Sequence, residues 1–427
     1  MKKNLRRFVG GTLLLIATAC GKNNTDPDPD PTPDPEPGVD PTPEIVVRDL
    51  SADGTSNCYI ILQTGACSFD ATVKGNGAAT EGLEAPEKMS PDSAALVWET
   101  SKGMITDVKL KDGTIFFKAG DVNGNALIAA YSADKRVIRS WHIWFPEENV
   151  KTVTAKTGYE VMNMNLGAMT SAFASAPDVK PYGLLYQWGR KDPFPSAPSL
   201  TGNEKTQPVP VYGPDGAEVK ITYSLWSSVE NNTIEYSIAN PTKCLSNYAQ
   251  FNTSRDWLKA SDSNDALWGN PKGDERNSDN NYVNKGSKSF YDPCPVGYRV
   301  PPADVFRTFT TTGGYTQDPS SFDVVDLNGD GVIDTRDYNY GWSFNMKEGS
   351  LFFPAAARYD GSYAMLMGSK SGLWGSYWGN SPAKSYGATT GFGFCVLAFM
   401  NEAAGTSVSA TASAGRADAY SIRCIKE

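Results

Sequence analysis

Histidine is nearly missing from this chain: His142 is the only one in 427 residues. That excludes zinc and iron sites built from several imidazoles, and any histidine-based triad has to run through His142 alone. Positive charge is also short. Lys and Arg number 39 against 48 Asp and Glu, a formal net charge of −9. No basic field exists to collect phosphate backbones, so nucleic acid is excluded as a partner class. The apolar run near the start, residues 8–19, is about a dozen residues long, short of the roughly 20 that a membrane helix needs.

What is there begins with an address. Lys2, Lys3, Arg6 and Arg7 precede the apolar run, and small residues lead up to Cys20. The pattern is that of a signal peptide over residues 1–19. The stretch LIATAC, 15–20, resembles a bacterial lipobox, which makes Cys20 a lipidated first residue and the membrane a partner through that anchor. Residues 20–44 then form a linker. Within it, DPDPDPTPDPEPGVDPTPE (26–44) holds eight prolines and seven acids, cannot supply a core and stays extended. At about 3.1 Å per residue it would reach roughly 60 Å. These features place the protein at the outer membrane or cell surface.

Six cysteines follow Cys20: Cys58, Cys67, Cys244, Cys294, Cys395 and Cys424. An even number suits an oxidising compartment, and the sequence leaves the pairing open. Cys58 and Cys67 are close enough in the chain to be one candidate pair across adjacent strands.

Residues 45–150 alternate short apolar runs with Gly, Asn and Asp turns, among them NCYIILQ, TIFFKAG and VIRSWHIWF. Strands at this spacing predict a β-sandwich. Alternation puts Trp141 and Ile143 on one face and His142 with Trp144 on the other, and with no metal-ligating or catalytic partner nearby in the sequence His142 is expected to be structural. Beyond residue 152 the chain is rich in Gly, Asn, Ser, Trp and Tyr. Many short elements and ordered loops are expected there, with local helix only at 302–310 and 254–259.

Five segments in this second region occur in a telling order: MNMNLG (162–167), YGLLYQWGR (182–190), YDPCPVGYRVP (291–301), LFFPAAARY (351–359) and AYSIRC (419–424). Their order over 155–427 resembles the Fibrobacter succinogenes major paralogous domain of secreted and lipid-anchored Bacteroidetes proteins, and the strand-rich region before it looks like their Ig-like module. The fold class this implies is mainly β with α+β character. An N-terminal Ig-like β-sandwich would be followed by a C-type-lectin-like, formylglycine-generating-enzyme-like domain of short strands, few helices and long loops. The returning C-terminal strand of such a fold implies a Cys294–Cys424 bridge. The reactive cysteine pair of the formylglycine-generating relatives would fall to Cys244 and Cys395, whose surroundings do not repeat that site.

The sharpest chemical motif is DLNGDGVIDTRD, 326–337, an insertion in the second region. It fits an EF-hand-type loop: Asp326, Asn328 and Asp330 at positions 1, 3 and 5, the carbonyl of Val332 at 7, Asp334 at 9 and Asp337 at 12. Gly331 stands at the sharp turn, and Ile333 is expected to pack inward. Calcium, in a structural role, is the expected cofactor, because clustered carboxylates repel one another until a divalent ion neutralises them. Asp337 departs from the usual glutamate, as in dockerin loops.

Aromatic residues gather at WGSYWGN, 374–380, and near Trp188. Trp188, Trp374, Tyr377 and Trp378 are candidates for stacking on a sugar ring, with core packing as the favoured role. No catalytic set can be named from the sequence. The function expected is that of a lipid-anchored, non-catalytic adhesin or glycan-binding protein. The alternative is an accessory or tip subunit of a fimbria, whose partners would be other fimbrial subunits.

Overall fold

Period-two strands carry the first hundred residues of the fold. The computed structural model describes residues 46–427 apart from 174–177, 201–206, 225–230, 247–255, 260–263, 274–277, 279–282, 364, 383–387 and 396–405. The signal peptide, Cys20 and the acidic linker therefore lie outside the described residues, as do the side chain of Cys395 and part of the expected turn at 254–259.

Eight strands come first: β1 (Arg48–Asp49), β2 (Cys58–Ile60), β3 (Gly65–Asp70), β4 (Ser93–Glu99), β5 (Ile105–Lys111), β6 (Thr114–Ala119), β7 (Gly124–Tyr131) and β8 (Val137–Phe145). They form two sheets, one ordered β1-β3-β6-β5 and the other built on β4-β7-β8-β2. Asp112 and Gly113, at φ of 50° and 78°, make the two-residue turn between β5 and β6. A Cβ on Gly113 would sit 2.5 Å from Thr72 Cγ2, so space as well as φ demands glycine there.

The sheet carrying β7 and β8 is buried on both faces. Ala126, Ile128, Ala130, Trp141 and Ile143 pack against the partner sheet with Phe69, Ile115 and Phe117. Leu127 and Trp144 face the other way and share a core with Tyr186, Trp188, Trp268, Trp378 and Ile422. Double burial explains why β7 reads GNALIAAY rather than as an apolar–polar alternation. Two further strands, β13 (Val211–Tyr212) and β14 (Glu218–Val219), extend this sheet beyond β4, although they come from the second region of the chain.

That second region holds the short strands β9 (Thr152–Thr154), β10 (Glu160–Met162), β11 (Leu184–Gln187) and β12 (Phe194–Pro195), then a larger sheet. In it β12 and β11 lead to Ala419–Ser421, Trp374–Pro382, Ala388–Cys395, Ser407–Gly415 and Tyr315–Thr316. The molecule is mainly β, with one six-residue helix, α1 (Ile234–Ala239), and a few 3-10 turns among the described residues. The expected helix at 302–310 is a 3-10 helix, Ala303–Phe309, and residues 256–259 are irregular. Thr233 caps α1 by accepting from the Tyr236 N–H at 3.1 Å.

The motif residues of the second region have visible mechanical tasks. Asp292 accepts from the backbone N–H of Cys294 and of Val300, each at 2.8 Å, and so closes the loop between them. Arg423, fully buried, donates to Asn165 Oδ1 at 2.9 Å and to the carbonyl of Phe352 at 2.8 Å. Cys294 and Cys424 are joined in a disulfide spanning 130 residues, a closure that removes on the order of 5 kcal/mol of unfolded-chain entropy.

Cys58 and Cys67, a candidate pair from their closeness in sequence, are not bonded to each other. They lie on β2 and β3, which belong to opposite sheets, and they serve different cores. Cys244 is also a free, buried thiol.

Candidate functional site

The sole histidine sits in a polar knot inside the core. His142 pairs in register with Cys58 across β8 and β2, and with Leu127 across β7. Its Nδ1 lies 3.3 Å from both Cys58 Sγ and the Tyr186 hydroxyl, and its Nε2 is 2.8 Å from Asn125 Oδ1. The hydrogen-bond pattern assigns the proton to Nε2, donating to Asn125, while Nδ1 accepts. Asn125 in turn donates to the carbonyl of Gly167 at 2.8 Å, linking the sandwich to the second region.

A cysteine, a histidine and an asparagine in this order resemble the parts of a thiol nucleophile site. Their environment removes that chemistry. All three are buried, burial pushes the Cys58 thiol well above its usual range, and burial holds His142 down to about 3. A neutral thiol beside a neutral imidazole has neither the charge nor the access to attack a substrate. Sequence reasoning placed His142 on the correct face but missed its partners, which lie 84 and 44 residues away.

A second buried cluster lies close by. Lys191 Nζ donates to Ser140 Oγ and Asp192 Oδ1, each at 2.5 Å, and to the Ser140 carbonyl at 3.1 Å. Desolvation lowers Lys191 to about 8 against the opposing pull of Asp192.

The aromatic candidates for ligand stacking sit mostly in the core, the role favoured for them from the sequence. Trp188, Tyr377 and Trp378 are fully buried. Trp378 stacks on Tyr420 at 4.1 Å and donates to the Tyr186 carbonyl at 2.5 Å; Trp188 donates to Gly379 O at 3.0 Å; Tyr377 donates to Pro354 O at 2.7 Å. Each polar handle is satisfied internally, so no face is left for a sugar. Trp374 is half-buried and covered by the Arg358 guanidinium at 4.8 Å and the Lys370 ammonium at 5.0 Å.

The 326–337 loop is folded by its own side chains. Asp326 accepts from the N–H of Gly329 and of Gly331, both at 2.7 Å, and the Gly331 contact leads in holding its carboxyl below the usual range. Asp337, fully buried, accepts from Leu327 N at 2.9 Å and Asp334 N at 2.9 Å. Gly331 has φ of 82°, and Ile333 packs on the aromatic core beneath. The Arg336 guanidinium bridges Asp334 at 2.6 Å and Asp330 at 2.7 Å. Among the described residues no three acidic, histidine or cysteine side chains converge as a metal-holding group. The donor set is that of a hard cation, but a guanidinium shares two of its carboxylates. Val332 is exposed, and Asn328 Oδ1 accepts from Asp330 N at 2.8 Å.

An open cleft of about 610 Å³ lies where α1 packs against β8, within the roughly 300–1,000 Å³ usual for small-ligand sites. Its walls include Lys74, Lys88, Arg136 and Arg139 from the sandwich, and Tyr236 and Tyr291 from the second region. Tyr236 is fixed by Lys243 Nζ, which donates to its hydroxyl at 2.8 Å. The sequence held one unused signal for this site: Arg139 shares the inward face of β8 with Trp141 and Ile143, an unusual place for a cation.

No family model, curated protein or solved structure matches the chain. Among the described residues no helix is long and apolar enough to cross a membrane.

Proposed function

We propose that the protein is a lipid-anchored bacterial surface protein, held away from the outer membrane by its acidic proline-rich linker, whose head binds a glycan without cleaving it. The observation that carries this reading is the open cleft beside α1, where two tyrosine rings and several side-chain donors face one concave surface. The lipobox at Cys20 and the linker at 20–44 supply the anchor and the reach. The resemblance of residues 155–427 to a lectin-like domain agrees with a binding role. The Cys58–His142 pair, closed to solvent and neutral, gives no support to a thiol enzyme.

Calcium is part of this proposal, bound by the 326–337 loop as a structural ion. Asp326, Asn328, Asp330, the carbonyl of Val332, Asp334 and Asp337 would hold it, with Arg336 released from Asp330 and Asp334.

The test is a screen of the full chain on a glycan and mucin array, run once with calcium and once with a chelator. Retention of a glycan whose chain length is unchanged after incubation supports the reading. Release of shortened product overturns it in favour of an enzyme, and absence of retention in both buffers overturns it in favour of docking to fimbrial subunits.

A further inference from the structure

The cleft beside α1 is more basic than the molecule around it. In a chain of net charge −9, four cations line it against one acid, Glu235. Lys88 and Arg136 are exposed and Lys74 is half-buried, and none of the three makes an ion pair with a described residue.

Arg139 is the more telling residue. It is 1 % exposed, and its Nη2 donates only to neutral oxygens, Asn57 Oδ1 and the Phe290 carbonyl. Its Nε finds no hydrogen-bond partner. Asp192, the acid whose charge acts on it, is occupied by Lys191 and Ser140. A buried guanidinium without a carboxylate is costly, and a bound anion would supply the missing charge. Tyr291 stands 5.7 Å from that guanidinium, so charge and aromatic surface meet at one wall.

We propose that this cleft selects an anionic sugar, a saccharide ring bearing a carboxylate or a sulfate. Lys88, Arg136 and Arg139 face the charge, and Tyr236 and Tyr291 face the ring. A planar fork such as Arg139 suits a carboxylate or sulfate, while a neutral sugar would leave the charge uncompensated. The inference rests on the glycan-binding reading and adds the ligand's charge to it.

Titration calorimetry of the full chain with D-glucuronate, D-glucose 6-sulfate, D-glucose and inorganic sulfate tests it. The expected result is binding of one or both charged sugars at least about tenfold tighter than glucose, weakening as NaCl rises from about 0.05 to 0.5 M. Lys88→Ala and Arg136→Ala, both at exposed positions, are expected to lower that affinity about two- to fivefold each with an unchanged melting temperature. Arg139→Gln is expected to lower it about tenfold or more, and Arg139→Lys to recover part of the loss. Inorganic sulfate binding as tightly as either charged sugar overturns the sugar half of the inference. Equal binding of glucose and glucuronate overturns the anionic half while the glycan reading stands. No heat from any sugar, with retention of neutral glycans on the array, also overturns this inference alone; no heat and no retention overturn both.

Discussion

His142 reports the protonation cost of the core. Burial holds it at about 3 in the folded chain, against a usual value of about 6.5 when unfolded. Above the unfolded value both states are neutral and this group has no effect on stability. As pH falls from about 6.5 toward 3 the unfolded chain takes a proton that the folded chain refuses, so stability drops by about 1.4 kcal/mol per pH unit from this group. Asp292, which burial raises to about 6, titrates in the opposite sense over part of that range, so the slope should appear in the difference between the urea-unfolding free energies of the wild type and His142→Gln. The residue's orientation was legible, because period-two alternation alone separates it from Trp141. Its thiol and phenol neighbours were not, since they depend on strand order and on how the two regions dock. The same limit applied to the tryptophans: composition marks them as large apolar surfaces, and only the packing tells a buried Trp378 from one open to a ligand.

Among the elements, the 326–337 loop was the most readable, since its Asx residues and Gly331 set the backbone locally. What could not be read was Arg336, whose guanidinium bridges Asp330 and Asp334. A bound divalent ion must compete with it for both carboxylates. Arg336→Ala is therefore expected to tighten calcium binding several-fold, measured by calorimetry, while Asp326→Ala abolishes it. Calcium heat that is unchanged in both variants would remove the loop as the site. The β5–β6 hairpin was legible as one of the Gly, Asn and Asp turns between the apolar runs of residues 45–150. Helix α1 was not, because its six residues IEYSIA carry too little period to stand out, and its position rests on packing against β8.

At the scale of the molecule, the central sheet belongs to both regions. Trp98, Leu127 and Trp144 are buried by residues beyond 160, and β13 and β14 complete the sheet from positions 211–219. A fragment covering 46–150 would expose that face. It is expected to aggregate or to melt without a cooperative transition, whereas the full chain is expected to show one principal transition for its head. A sharp, reversible melt of the fragment would show that the sandwich stands alone. Sequence reading recovered the mainly β character and the strand-rich first region. It missed this sharing, because two-sided burial leaves continuous apolar runs that do not say what covers each face.

The short first strand has a mechanical meaning. β1 is two residues long, pairs in parallel with β3 at the edge of its sheet, and is extended by the hydrogen bonds from Leu50 N to Ser68 O at 2.8 Å and from Asp70 N to Ser51 Oγ at 3.0 Å. Any load entering at residue 46 meets these few bonds before it meets the apolar core. Under tension applied there, β1 is expected to peel away first while the sheet shared by both regions keeps its shape, which pulling the chain from residue 46 in a force spectrometer would show as a small early extension.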